Sequence, residues 1–194
     1  MGARVAALFS LLAGFWTLLF SRPNIHVLLI GIDHAGKTTL MEKIKTIFGK
    51  NQVGLPPEKI PPTVGMNLAK IRHRGSQVIF WDLGGQTKIR SMWEKYYNEA
   101  DAVIYVVDSA DSGRLDEAKY AYSAAIDHDL LSKVPVITLA NKQDLPGSLA
   151  ASDLVINFSP RIYAVSALTG EGVEAAIEAV LIEAKRRASS KGPM

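Results

Sequence analysis

The chain has 194 residues, 48% hydrophobic and 21% charged, with a net charge of +3: enough for one domain with a sizeable core and too little for two. Its two basic runs, Arg72-His73-Arg74 and Lys185-Arg186-Arg187, are short and read as solvated faces, so no nucleic-acid partner is expected. There is no cysteine, which excludes disulfides, thiolate metal sites, prenylation and S-palmitoylation.

Residues 5–20 carry no charge. They are short for a membrane span, which takes about 20 apolar residues. They would suit a signal peptide except that Ser21-Arg22-Pro23 supplies no small-x-small cleavage site. A helix in the membrane interface fits better. Leu8, Leu12, Phe15 and Leu19 form one bulky stripe at helical spacing, with Ala6, Ser10, Ala13 and Thr17 opposite. The alternative is an apolar helix packed on the domain. Gly2 invites N-myristoylation, but the sixth residue is Ala6 where the pattern has Ser or Thr.

From residue 24 onward, apolar strand-like runs alternate with helical ones. Strands are expected at 25–30, 66–73, 77–81, 102–107, 134–140 and 162–165, and helices at 38–48, 114–131 and 172–187. Residues 66–73 and 77–81 read as a hairpin turning at Gly75-Ser76. Runs apolar on both faces mean a mainly parallel sheet with helices on both sides, and the hairpin adds one antiparallel edge. The fold class is therefore α/β. The expected organisation is an N-terminal apolar helix over 1–23, one domain over 24–187 and a short flexible tail over 188–194.

Gly31-Ile32-Asp33-His34-Ala35-Gly36-Lys37-Thr38 fits Gly-x4-Gly-Lys-Ser/Thr between a strand and a helix, the arrangement of a phosphate loop. Glycines let the backbone wrap phosphates, and the helix N-terminus favours their charge. Lys37 is expected on the β- and γ-phosphates, Thr38 on Mg²⁺, and Thr39 at the edge of the nucleotide site.

Trp81-Asp82-Leu83-Gly84-Gly85-Gln86 closes a strand. Asp82 is suited to hold Mg²⁺, Gly85 to offer an unobstructed amide to a γ-phosphate, and Gln86 to orient an attacking water. Pro61-Pro62-Thr63 ends a loop rich in Pro and Gly, and the Thr63 hydroxyl is a second Mg²⁺ ligand in prospect. Asn141-Lys142-Gln143-Asp144 follows an apolar strand. One carboxylate at Asp144 can accept both donors on the guanine edge, whereas adenine would leave it unpaired, a discrimination of roughly 10⁴ or more. Lys142 supplies a stem for the base plane, and Ser166-Ala167 a backbone N–H for guanine O6. GTP or GDP with Mg²⁺ is the expected cofactor.

Together, Gly31 to Thr38, Thr63, Trp81 to Gln86, Asn141 to Asp144 and Ser166-Ala167 resemble the signature elements of P-loop NTPases with a Ras-like G domain. Asp33 in the phosphate loop, the double glycine before Gln86, Pro62-Thr63-Val64-Gly65 and Ile89-Arg90-Ser91-Met92-Trp93-Glu94-Lys95-Tyr96-Tyr97 are similar to the Arf and Arf-like branch. The wording of 54–67 and 81–97 is nearest its Arf-related members of the trans-Golgi. The resemblance implies a slow GTPase, cytoplasmic and cycling to Golgi membranes in vesicle-mediated protein transport. It also implies an exchange factor, a GTPase-activating protein, and effectors at Met66, Trp81 and Tyr96. Residues 5–20 would then bind the membrane, and the protein would be a monomer. Met66 stands where the branch usually has Phe, and the stretch from Asp144 to Ser166 is shorter than usual. Two other classes fit parts of the pattern. A non-cycling GTP-binding scaffold would not need Gln86, and a P-loop kinase for a small molecule would need an acceptor lid that is not visible.

Overall fold

The computed structural model describes residues 24–50 and 52–190. The expected N-terminal helix lies outside them, and among the described residues no helix is long and apolar enough to cross a membrane.

Six strands form one sheet: β1 (Asn24–Ile30), β2 (Met66–His73), β3 (Ser76–Leu83), β4 (Ala102–Asp108), β5 (Val136–Asn141) and β6 (Ile162–Ala164), in the order β2-β3-β1-β4-β5-β6. Every neighbouring pair is parallel except β2 with β3. The expected α/β class and its single antiparallel edge are what the chain adopts. His73 pairs with Ser76, so the hairpin turns on Arg74 and Gly75, at φ 44° and 84°, rather than on Gly75-Ser76. Two positive φ values in a two-residue loop match the right-handed twist of the strands.

The central strands β3, β1, β4 and β5 are buried on both sides because both faces are covered. Against one face lie α1 (Lys37–Phe48) and α5 (Val173–Ser190), enclosing Val27, Leu29, Leu40, Ile44, Phe80, Ile104, Ile177 and Val180. The other carries α2 (Glu94–Tyr97), α3 (Leu115–Ile126) and α4 (Ala151–Leu154) over Leu28, Ile30, Trp93, Tyr105, Tyr122 and Leu154. The short stretch between Asp144 and Ser166 keeps only one helical turn, α4. It still covers its face, because Leu154 is buried and Phe158 packs against Tyr105 and Tyr122 at ring distances of 6.0 and 5.4 Å.

Two helix C-termini differ from the periodicity, and β5 starts at Val136 rather than at 134. The helix expected over 114–131 ends at Ile126, since His128 turns extended and its ring nitrogen accepts the Leu130 N–H. The last helix continues to Ser190, so residues 188–190 belong to α5 and not to a tail. Its Ser190 hydroxyl bonds back to the Arg187 carbonyl.

Candidate functional site

Four segments meet beyond the carboxyl ends of β1, β3 and β5, where ligands bind in open parallel sheets. A pocket of about 360 Å³ is lined by Asp33, His34, Gly36, Lys37, Thr38, Thr39, Ile60, Pro61, Pro62, Thr63, Gly85, Gln86 and Lys142. Its walls thus come from the loop after β1, the Pro-rich loop before β2, the turn after β3 and the residue after β5.

The loop after β1 can form only with glycine at its start. Gly31 has φ 143°, and a Cβ there would lie 2.3 Å from the Val106 carbonyl oxygen of β4. His34 also sits at positive φ, 64°, with its ring out at the pocket rim. Lys37 is buried, and its Nζ donates to the Ile32 carbonyl at 2.7 Å. Burial lowers its pKa to about 8, against the attraction of Asp82 and Asp33. A buried ammonium without a carboxylate in contact is poised for an anion.

Asp82 is fully buried at the end of β3. Its Oδ2 accepts from Thr38 at 2.7 Å, Thr63 at 3.2 Å and Asn67 at 3.4 Å, while Thr38 and Thr63 hydroxyls stand 2.8 Å apart. Its Oδ1 has no hydrogen-bond partner among the described residues. Burial raises the Asp82 pKa despite the Thr38 hydrogen bond and the Lys37 charge. A buried carboxylate with a spare oxygen beside two hydroxyls fits a hard cation such as Mg²⁺.

Gly85 lies directly on the phosphate loop, where a Cβ would come within 2.4 Å of Asp33 N and Gly31 O. Gln86 is exposed at the mouth, and its side chain has no partner among the described residues. Arg90 Nε donates to the Gly85 carbonyl at 2.7 Å and its Nη2 pairs with Glu117. Glu117 also accepts from Arg114, which bonds Asp33 Oδ1 at 2.7 Å and the Asp33 carbonyl at 3.1 Å. The Asp33 carboxylate is therefore turned to Arg114 of the loop before α3. Arg114 and Glu117 had no sequence signal beyond their charge, since the network joins residues 81 positions apart.

This network has a pH signature. Arg90 holds the Glu117 carboxyl below the ordinary carboxylate range. For Asp33, burial alone would raise the pKa, but the Arg114 hydrogen bond and charge outweigh it. Groups with a depressed folded pKa stabilise the fold above the ordinary carboxylate range, and lose that contribution as pH falls through the folded value. The difference in melting temperature between wild type and Arg114→Ala should be fullest near neutrality and shrink in acid. A gap unchanged by pH would remove the carboxylates from the account.

On the other side of Lys142 lie Asn141, Asp144, Ser166 and Ala167. Asn141 bonds at both ends of its amide, donating to the Ala35 carbonyl at 2.8 Å and accepting the Ala167 N–H at 2.9 Å. It clamps the phosphate loop to the loop after β6, and the Ala167 N–H expected for a base is engaged in that clamp. Lys142, at φ 68°, pairs with Asp108 at 2.6 Å, which fixes its stem. Asp144 Oδ1 accepts the Ser166 hydroxyl at 2.5 Å. Gln143 reaches the Ser109 hydroxyl at 2.8 Å and the Leu149 carbonyl at 2.9 Å, bracing this loop from below.

With this geometry, comparison with known proteins is decisive. A family model described as the ADP-ribosylation factor family matches residues 12–183. The chain belongs to the ADP-ribosylation factor family. Like other members it is a small GTPase that binds GTP or GDP with Mg²⁺ and hydrolyses GTP. It is 41% identical over 181 residues to ADP-ribosylation factor-related protein 1 of Bos taurus, covering 88% of this chain and 90% of that protein. It is 36% identical over 198 residues to ADP-ribosylation factor-like protein 3 of Saccharomyces cerevisiae, covering 96% and 99%. The Arl6 (BBS3) small GTPase of Trypanosoma brucei, solved with the nucleotide analogue GppNp, superposes with a TM-score of 0.72 at 30% identity, covering 84% of this chain and 99% of that one.

Two further apolar residues are exposed beside Met66. Leu68 is exposed at 46% on the same face of β2 as Met66 at 37%, and Val64, in the bend before β2, at 82%. Alternation in Met66-Asn67-Leu68 was the available signal for Leu68. Trp81 is only 7% exposed, stacked 4.8 Å from His26 and set 5.3 Å from Tyr96.

Proposed function

We propose that this GTPase is a switch that recruits effectors to Golgi membranes, the trans-Golgi above all, in vesicle-mediated transport. The carrying observation is that both roots of the β2–β3 hairpin, Thr63 before it and Gly85-Gln86 after it, line one pocket. Occupancy of the phosphate end therefore bears on both ends of the hairpin, whose outer face shows Val64, Met66 and Leu68. Those three, with the edges of Trp81 and Tyr96, are the effector surface in this reading.

In the site, Gly31, Asp33, His34, Ala35, Gly36, Lys37, Thr38 and Thr39 surround the phosphates, with Gly85 facing the γ-phosphate. Asn141, Lys142, Asp144, Ser166 and Ala167 form the base side. Mg²⁺ would be held by the Thr38 and Thr63 hydroxyls with Asp82, and would neutralise phosphate charge. Lys37 stabilises charge on the transferring group and Gln86 orients the water. Arg90 and Arg114 are both held on carboxylates, which supports slow turnover until an activating protein acts.

The test is co-sedimentation of the full-length protein with Golgi-like vesicles, loaded with GDP or a non-hydrolysable GTP analogue, beside a deletion of residues 5–20. Binding confined to the GTP-analogue form and lost on deletion is the expected result. Equal binding in both states would replace the membrane switch with a permanent anchor.

A further inference from the structure

Resting on the reading of Gly85 as the γ-phosphate contact, we infer that Trp93 and Arg90 are positioning residues that fix the two peptide groups on either side of Gly85. The indole Nε1 of Trp93 donates to the Gly84 carbonyl at 2.9 Å. Arg90 Nε donates to the Gly85 carbonyl at 2.7 Å. Each bond holds one end of a planar trans peptide, and in such a unit the N–H points opposite to the C=O. Trp93 thereby sets the direction of the Gly85 N–H, and Arg90 sets that of the Gln86 N–H and the base of the Gln86 side chain.

The two N–H groups are the ones left over. Gly84 N–H is taken by the Gly65 carbonyl at 2.8 Å, across the roots of the hairpin, whereas neither Gly85 nor Gln86 donates its N–H to any acceptor among the described residues. Gly85 is nonetheless buried against the phosphate loop. A buried N–H without a partner is rare, because it costs about as much as a lost hydrogen bond. Gly85 lines the same pocket as Lys37, where an anion's oxygen can satisfy this N–H.

The two donors are themselves held by different means. Trp93 is 3% exposed, in the same buried cluster as Tyr97 and Tyr105. Arg90 is held from outside by Glu117, and through Arg114 by Asp33 of the phosphate loop. Trp93 thus ties the turn to the core. Arg90 ties it to the phosphate loop across which it must bind. Such positioning lowers the reorganisation needed to stabilise developing charge.

The experiment compares Trp93→Phe and Arg90→Lys with wild type. Trp93→Phe keeps a ring in the core but removes the donor; Arg90→Lys keeps a cation facing Glu117 but removes the Nε–H. Affinities for GDP and for GppNp are measured separately, together with the single-turnover rate constant at saturating GTP. Trp93→Phe should weaken GppNp by about tenfold and leave GDP unchanged, since loss of one hydrogen bond in a desolvated site is of that order. Arg90→Lys should lower the saturating rate constant by about tenfold with a smaller change in affinity, because it acts on Gln86 placement. Equal losses for both nucleotides would make Trp93 a packing residue only, and unchanged constants in both variants would overturn the positioning role. Wild-type protein that holds GDP and GppNp alike would overturn the reading of Gly85 itself.

Discussion

Replacing Gln86 by Leu should leave GTP and GDP affinity close to wild type and lower activator-stimulated hydrolysis by about 10²- to 10³-fold, the scale of losing one preorganised polar group at a reacting centre. Gln86 follows Gly85, whose backbone touches the phosphate loop, and its side chain stands at the pocket mouth with no partner among the described residues. Its amide is therefore free to accept from a water and donate to it at once. Leu matches its bulk but can do neither, so the water loses its place while the phosphate contacts remain. Nothing in the fold depends on this exposed side chain, so the melting temperature should not move. Single-turnover hydrolysis with an activating protein checks this, and equal rates for variant and wild type would remove Gln86 from the reaction.

Asp144→Asn should lower GTP affinity by about 10⁴-fold and shift preference toward xanthosine triphosphate. The Ser166 hydroxyl decides the orientation, because it donates to Asp144 Oδ1 at 2.5 Å. Asparagine must offer its own oxygen to that donor, which leaves its NH₂ facing the base edge. Guanine presents donors there, so donor meets donor. Xanthine presents a carbonyl in place of the 2-amino group and accepts instead. Displacement of a fluorescent guanine nucleotide by GTP, ATP and xanthosine triphosphate gives the ranking directly. An unchanged preference for GTP would mean that backbone groups, not this carboxylate, read the base.

These two residues show how far linear order reaches. Gln86 and Asp144 are legible because each sits at a fixed offset from a strand end, and strand ends follow from apolar runs. The same holds for Lys37, Thr38 and Asp82, and for the α/β class itself, since alternation of doubly buried strands with helices has few other solutions. Alternation along 66–68 also implied that Leu68 faces outward with Met66.

What stayed hidden is pairing at long range. Asp33 was expected at the nucleotide, and it does line the pocket, but its carboxylate bonds Arg114 far along the chain. Asn141 was grouped with the base, whereas its amide joins Ala35 to Ala167. Charge and amide groups carry no address in sequence. Their partners are set by which backbones the sheet order β2-β3-β1-β4-β5-β6 brings side by side. The sequence by itself determined the strands, the glycines at close backbone approach and the order of the site segments, because sterics and hydrophobic periodicity act locally. Only the tertiary structure decided the turn at Arg74-Gly75, the end of α3 at Ile126, the extension of α5 to Ser190, and the donors that hold Gly84 and Gly85. Each of these depends on hydrogen bonds or packing whose partners are chosen by the fold.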